Sequence, residues 1–241
     1  MESSGHNIIS RNNVESMFDN IAPTYDLFNH LLSFGIDKKW RSKAIKEVTL
    51  VPHDNITDFA TGTGDFAISM AKKLQFQQIY GLDISANMLE EAKAKANKAG
   101  LSQLINFSKE DCEATSIMAN SIDVVTIGFG IRNFRSPQKG LCEMLRVLKP
   151  GGKVVILEFA IPKKGLFSKL VQFYYKTFIP CLGKLISGNK GAYHYLPATI
   201  YEFQNGKDFC EMMHSSGFIE AHFKSLSFNM VNLYTGFKPR N

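Results

Sequence analysis

Between residues 55 and 160 the chain alternates two kinds of segment. Short apolar or β-branched runs occur at Ile56–Phe59, Ile79–Leu82, Ile105–Phe107, Asp123–Ile127 and Lys153–Phe159. Between them, apolar residues recur at three- and four-residue spacing: Ala67, Ile68, Met70, Ala71 and Leu74; Met88, Leu89, Ala92 and Ala96; Leu141, Met144, Leu145 and Leu148. The first pattern is that of a buried strand and the second that of a helix with one apolar face. Strands joined through helices of this length run parallel, because each helix carries the chain back across the sheet. The expected fold is α/β, a Rossmann-like doubly wound sheet. Lys149-Pro150-Gly151-Gly152 is a stop signal, with Pro ending the helix and Gly turning the chain into the next strand.

The flanks differ from this core. Residues 10 to 50 read as three helices, on Val14-Met17-Phe18-Ile21, Tyr25-Phe28-Leu31-Leu32 and Trp40-Ala44-Ile45-Val48. A second helical stretch, rich in Phe, Tyr and Lys, follows Pro162, and Phe218–Phe223 and Ser227–Phe237 read as two strands around a turn. Four segments are therefore expected: an N-terminal helical cover over 1–50, a core over 51–160, a helical cap over 161–205, and strands over 206–241 that complete a mostly parallel sheet with an antiparallel strand. The helices cover the carboxyl edge of the strands, where open α/β sheets bind ligands.

Asp58-Phe59-Ala60-Thr61-Gly62-Thr63-Gly64-Asp65-Phe66-Ala67 closes the first strand and opens the first helix. Gly62 and Gly64 permit a tight turn and a close approach of backbone to a ligand. Asp83 ends the second strand 21 residues after Gly62, the spacing at which a carboxylate accepts from both ribose hydroxyls of an adenosine. With Ala67 the segment also fits the dinucleotide fingerprint, so NAD is the competing ligand. Asp58 argues against it: a carboxylate at the strand end repels a pyrophosphate but suits the cationic methionine half of S-adenosyl-L-methionine. Ser85 is the expected N-cap of the second helix, where Met88 packs on the adenine or simply in the core. Asp111 and Cys112 follow the third strand, within reach of the adenine amino group.

Composition removes other classes. The four cysteines, Cys112, Cys142, Cys181 and Cys210, form no CxxC pair, and the six histidines show no i,i+4 pairing, so no metal is expected. The formal charge of +6 admits nucleic acid or an anionic membrane. No nucleic-acid motif is present, and none is expected as a partner. Leu166 to Ile186 is interrupted by Lys169, Lys176 and Lys184, so it is not a spanning segment. Instead, residues 163–190 interleave lysines with Leu166, Phe167, Phe173, Tyr174, Phe178 and Ile179, as in a helix lying on a bilayer or one capping a pocket. The start of the chain has neither a secretory nor a transit pattern. The expected location is cytoplasmic, with peripheral contact at the inner face of the membrane as an option.

Asp58–Asp65, Gly81–Leu89, Gly128-Phe129-Gly130-Ile131-Arg132-Asn133-Phe134 and Arg146–Gly152 with Leu157-Glu158-Phe159 resemble four blocks of the menaquinone/ubiquinone C-methyltransferase family. Phe18–Asp26 with Asn29 and Ser33-Phe34-Gly35 resembles its amino-terminal signature, and Tyr193–Pro197 a later one. The likeness begins near residue 12. It implies methyl transfer from S-adenosyl-L-methionine to a ring carbon of a prenylated quinol, demethylmenaquinol or a polyprenyl methoxy-benzoquinol, and it leaves a homodimer open. Thr63, Asp83, Asp111 and Cys112 match cofactor-contacting positions, and Ile84, next to Asp83, is a further cofactor-binding candidate. Gly128 stands where many members carry Ser, and Ala198-Thr199 replace a usual Glu-Ser.

Such a transfer needs an activated phenolic oxygen and a group to stabilise the charge that develops on it. Arg132 and Asn133, just past the fourth strand, are the candidates, Arg132 to pair with the quinol oxygen and Asn133 to orient it. The competing expectation is that Arg132 ties down a loop by bonding a carboxylate such as Asp26. Tyr25, Asp26 and Tyr195 are candidates for closing the pocket or carrying the proton.

Overall fold

The computed structural model describes residues 14–161, 168, 171 and 190–240. The chain begins with α1 (Val14–Leu32) and α2 (Asp37–Val48), followed by β1 (Asn55–Phe59), α3 (Asp65–Ala71), β2 (Gln78–Asp83), α4 (Ala86–Lys98), β3 (Ile105–Lys109) and β4 (Ile122–Gly128). A 3₁₀ turn at Ile131–Asn133 leads to α5 (Pro137–Val147) and β5 (Leu148–Phe159). After the segment outside the described residues come α6 (Lys190–Glu202), α7 (Lys207–Ser215), β6 (Ile219–Leu226) and β7 (Val231–Phe237).

The seven strands lie in the order β3-β2-β1-β4-β5-β7-β6. The first five are parallel, and β7 runs antiparallel between β5 and β6. This is the mostly parallel α/β sheet expected, with the antiparallel strand near the C-terminus. The chain order reverses between β1 and β4, where a ligand crevice opens at the carboxyl ends. Strands β1 and β4 are buried on both faces, with Ile56, Phe59, Val124, Val125 and Ile127 fully buried, as central parallel strands covered by helices must be. A third apolar cluster, containing Val14, Met17, Ile21 and Ala22 of α1, Met88 of α4 and Tyr195 and Ile200 of α6, roofs the carboxyl edge.

Three details depart from the sequence reading. The first two N-terminal helices are one: α1 continues through Pro23. Proline has no N–H for the carbonyl four residues back, and that carbonyl, of Asp19, instead accepts from Asn87 Nδ2 at 3.1 Å. Strand β5 begins at Leu148 rather than Lys153, because Leu148 pairs with Ile122 ahead of an irregularity in register. Strand β7 begins at Val231, because Ser227, Phe228 and Asn229 all adopt positive φ and form the turn. The expected membrane or cap helix over 163–190 lies outside the described residues, except for single positions and its last residue.

Candidate active site

The loop after β1 is built by its two glycines. Gly62 (φ 56°) and Gly64 (φ 79°) sit in the left-handed region, and a Cβ on Gly64 would lie 3.0 Å from that of Ala92. The turn points the Gly62 N–H at Asp83 Oδ2, 2.8 Å away. Ser85 N–H donates to Oδ1 of the same carboxylate at 2.9 Å. Burial pushes Asp83 up to about 6, against backbone N–H donors that favour the anion, and the nearby Asp19 charge adds to the rise. Ser85 caps α4 as expected, its Oγ accepting from Met88 N–H at 3.2 Å.

Asp58 is also buried, and both its oxygens are engaged: Thr61 Oγ donates to one at 2.7 Å and Thr126 Oγ to the other at 2.6 Å. Burial raises its carboxyl to about 6, opposed by those hydroxyls and by Arg41.

Two adjoining cavities lie along this edge. One, of about 180 Å³, is lined by Asp83, Ile84, Asp111, Cys112, Asn133 and Arg135, among others. The other, of about 80 Å³, adds Phe18, Tyr25, Gly62, Met88 and Gly128 and shares Asp83, Ile84 and Asn133. A third hollow of about 50 Å³ is lined by Tyr25, Asp26, Arg41, Asp58, Thr63 and Gly128, among others. The sequence-predicted cofactor residues thus gather at one edge of the sheet. Cys112 is a wall rather than a reactive group: burial raises its thiol well above the ordinary value, and Sγ accepts from Ala60 N–H at 3.3 Å. Asp111 pairs with Arg135 and accepts from Glu113 N–H at 2.9 Å.

The expected catalytic residues are placed unevenly. Asn133 lines both larger cavities, and its Oδ1 is buried without a hydrogen-bond partner. Arg132 is held behind the cavities by a carboxylate. It is buried and ion-paired with Glu158 at 2.8 Å, its backbone N–H donates to the second oxygen of the same carboxylate at 3.2 Å, and its guanidinium stands 5.3 Å from the centre of the Phe159 ring. Arg132 lines none of the three cavities, but its Nε is buried without a hydrogen-bond partner and its charge acts on Tyr25, which lines two of them. The arginine does tie down a loop, but through Glu158 and not Asp26.

Asp26 is engaged elsewhere, accepting from Thr63 Oγ at 2.5 Å and Lys95 Nζ at 2.6 Å. Lys95 also donates to Asp65 at 2.5 Å, and Arg41 to Asp65 at 2.9 Å. Burial pushes Asp65 up, but Arg41 and Lys95 outweigh it and hold the carboxyl below its ordinary value. Tyr25 lines two of the cavities, and burial raises its phenol against the opposing pull of Arg132. Tyr195 is buried in the roof cluster and lines none of the three cavities.

Lys95, Arg41, Asp19 and Glu158 were given no role by the sequence reading. Asp19 and Glu158 did lie within the family-like segments, and Glu158 is a carboxylate inside an apolar strand. Among the described residues, His30, Asp37 and Asp65 bring potential metal-ligand atoms within 4.8 Å of one another. Arg41 already donates to both carboxylates, so a cation occupies that role.

The crevice thus brings together a glycine turn, two buried carboxylates and a polar oxygen without a hydrogen-bond partner at one edge of the sheet. A structure of a SAM-dependent methyltransferase from Aquifex aeolicus superposes with a TM-score of 0.60 at 17% identity, covering 82% of this chain and 88% of that one; this likeness speaks for the fold. A demethylmenaquinone methyltransferase of Bacteroides fragilis is 47% identical over 225 residues, 93% of this chain and 92% of the relative. The protein of Geotalea daltonii named ubiquinone/menaquinone biosynthesis C-methyltransferase UbiE is 42% identical over 226 residues, 93% of this chain and 96% of its own length. The model of the ubiE/COQ5 methyltransferase family matches residues 6–238. With relatives this similar along nearly their full length, the chain belongs to the ubiE/COQ5 methyltransferase family.

Proposed function

We propose that this methyltransferase transfers the methyl group of S-adenosyl-L-methionine to a ring carbon of demethylmenaquinol, forming menaquinol. The observation that carries this reading is the buried, open Oδ1 of Asn133 in the cavities that Asp83 also lines. Leaving such an acceptor unmatched costs about 1–3 kcal/mol, and a quinol hydroxyl is a donor that fills the vacancy. The names of the relatives support the naphthoquinol ring.

The cofactor supplies an electrophilic methyl group on a sulfonium. Asp83 holds the ribose hydroxyls; Ile84 and Met88 flank the adenine, and Asp111 accepts from its amino group. Asp58, Gly62, Thr63, Gly64 and Gly128 surround the methionine half, and Cys112 closes the wall. Asn133 orients the quinol oxygen. Tyr25, whose raised phenol keeps its proton, would hydrogen-bond the quinol oxygen. As the ring carbon gains the methyl group, the quinol gives up one proton to solvent water and S-adenosylhomocysteine is released. Arg132 sets the position of Asn133 from behind, through Glu158. Asp26, already bonded to Lys95 and Thr63, closes the pocket rather than acting as base, and Tyr195 stiffens the roof. Alignment of acceptor and methyl group supplies several kcal/mol of the barrier by removing translational and rotational freedom.

A benzoquinol acceptor is a second reading, favoured by relatives named for both ubiquinone and menaquinone biosynthesis. A prenyl tail would place either acceptor in a bilayer, and we propose peripheral contact through residues 163–190. Among the described residues no helix is long and apolar enough to cross a membrane.

The test is methyl transfer from labelled S-adenosyl-L-methionine to demethylmenaquinol in anionic vesicles, with a demethylated benzoquinol in parallel. Labelled menaquinol is expected. Label in the benzoquinol alone would favour the second reading, and label in neither would overturn both. Flotation with anionic and neutral vesicles checks the membrane contact, and sedimentation checks for a homodimer.

A further inference from the structure

Helix α1 forms one wall of the two larger cavities through Val14, Glu15, Phe18 and Tyr25. A single residue concentrates the bonds that hold it there. Asp19 Oδ1 accepts from Ser85 Oγ at 2.6 Å and from the Asn87 backbone N–H at 3.1 Å. The Asp19 carbonyl, left open by Pro23, accepts from Asn87 Nδ2 at 3.1 Å. Asp19 therefore caps the N-terminus of α4 from another helix, where exposed N–H groups and the helix dipole favour a carboxylate. Its partner Ser85 donates its own N–H to Asp83, so the fastening of α1 and the placement of the ribose carboxylate share one residue. Other ties of α1 are of different kinds: Glu15 makes an exposed pair with Lys109 at 2.7 Å, and Asp26 meets Lys95 and Thr63 near the far end of the helix.

Size supplies a second, independent observation. With α1 fastened, the space for the ligand is divided into hollows of about 180, 80 and 50 Å³, together only at the lower end of the roughly 300–1,000 Å³ of sites that bury a small ligand. A nucleoside with an amino-acid arm spans more than one of these hollows, and α1 lines the two larger ones. The strands that carry Asp58 and Asp83 are held by their hydrogen-bond ladder, whereas α1 is held over them by side-chain bonds.

We infer that Asp19 is a positioning residue that latches α1 across the nucleoside cavity, making α1 the lid through which the cofactor passes. This rests on reading the cavity as the S-adenosyl-L-methionine site. Ser85 and Asn87 form the catch, and Pro23 keeps the Asp19 carbonyl available by having no N–H with which to reclaim it.

The test is stopped-flow binding of S-adenosylhomocysteine to the full chain, paired with steady-state kinetics. Hydrogen bonds to a charged group are of a size to give Asp19→Ala an increase of about tenfold or more in product dissociation rate and in KM for the cofactor. The turnover number at saturating cofactor should stay within about threefold of wild type, because no reacting atom is touched. Asp19→Asn retains an oxygen acceptor for both donors but not the charge, and its rates should fall between those of Asp19→Ala and wild type. Asn87→Ala, a milder change that keeps the carboxylate cap, should give a smaller rise, and Glu90→Gln, in an exposed pair with Lys93 that lines none of the cavities, none. A dissociation rate in Asp19→Ala matching wild type would overturn the latch, as would an Asp19→Asn variant equally impaired. Failure of the wild-type protein to bind S-adenosylhomocysteine would instead remove the cofactor reading on which the latch rests.

Discussion

Arg132 and Glu158 form an ion pair at 2.8 Å in which both side chains are almost wholly buried, across the carboxyl ends of neighbouring strands. Removing one member of such a pair leaves a charge without a partner, at a cost of about 3–5 kcal/mol. Arg132→Ala should therefore lose both stability and turnover. Replacing both residues together, Arg132→Met with Glu158→Leu, should recover most of the stability in a urea titration while turnover stays low, because Asn133 loses its support. Full activity in the double variant would show that the pair contributes only to folding.

Asn133 carries the opposite balance. Its Oδ1 is buried and open, so replacing it with an apolar residue removes a desolvation cost instead of creating one. Asn133→Leu should melt within a few degrees of wild type or above it. Its turnover number should fall by about 10²–10³, the range seen when one oriented polar group at a reacting oxygen is lost. A drop in melting temperature alongside intact turnover would assign Asn133 to structure.

The sheet was legible because each central strand is a continuous apolar run and each helix has a clear apolar face. Asp83 and the glycine turn were legible because their spacing lies within one βαβ unit. The Arg132–Glu158 pair was not, since its members lie 26 residues apart on either side of a whole helix. Lys95 and Asp26 are 69 residues apart, and nothing in either neighbourhood marks the other. Pro23 misled because its effect depends on whether Asn87 is present to take the freed carbonyl.

Lys95 stands between Asp26 and Asp65 at 2.6 and 2.5 Å. Lys95→Met would leave Asp65 to Arg41 and His30, leave Asp26 the Thr63 hydroxyl, and free Thr63 of its second partner. The pairs are part-exposed, so the expected loss of stability is modest, about 1 kcal/mol. The larger effect should be on KM for the cofactor, because Thr63 and Asp26 line the hollow beside Asp58. A KM unchanged in Lys95→Met would confine the cluster to a structural role.

The buried carboxyls give the protein two opposing responses to acid. Asp58 and Asp83 are both raised to about 6, in each case chiefly by burial. Their folded values exceed the unfolded carboxylate value of about 3.9, so their contribution to stability is complete below that value and is lost as pH rises through about 6. Asp65 and Glu143 are held down, against burial, by Arg41 and Lys95 in one case and by Arg146 and Thr115 in the other. Theirs is present above the ordinary carboxylate range and lost as pH falls. The ligand-free protein should accordingly lose melting temperature as pH rises from about 5 to 7, because Asp58 and Asp83 titrate in that window while Asp65 and Glu143 are already ionised there and offset nothing. Cofactor affinity should respond in the opposite direction. Asp83 must be ionised to accept from two ribose hydroxyls, with Asp19 on one side, Tyr25 across the cavity and the N–H groups of Gly62, Ile84 and Ser85 around it. Calorimetry with S-adenosylhomocysteine should show binding weakening below about pH 6, approaching tenfold per pH unit for one linked proton. Asp83→Asn should bind weakly throughout and lose this dependence. An affinity unchanged from pH 7 to pH 5 in the wild-type protein would mean that Asp83 does not titrate in contact with the nucleoside.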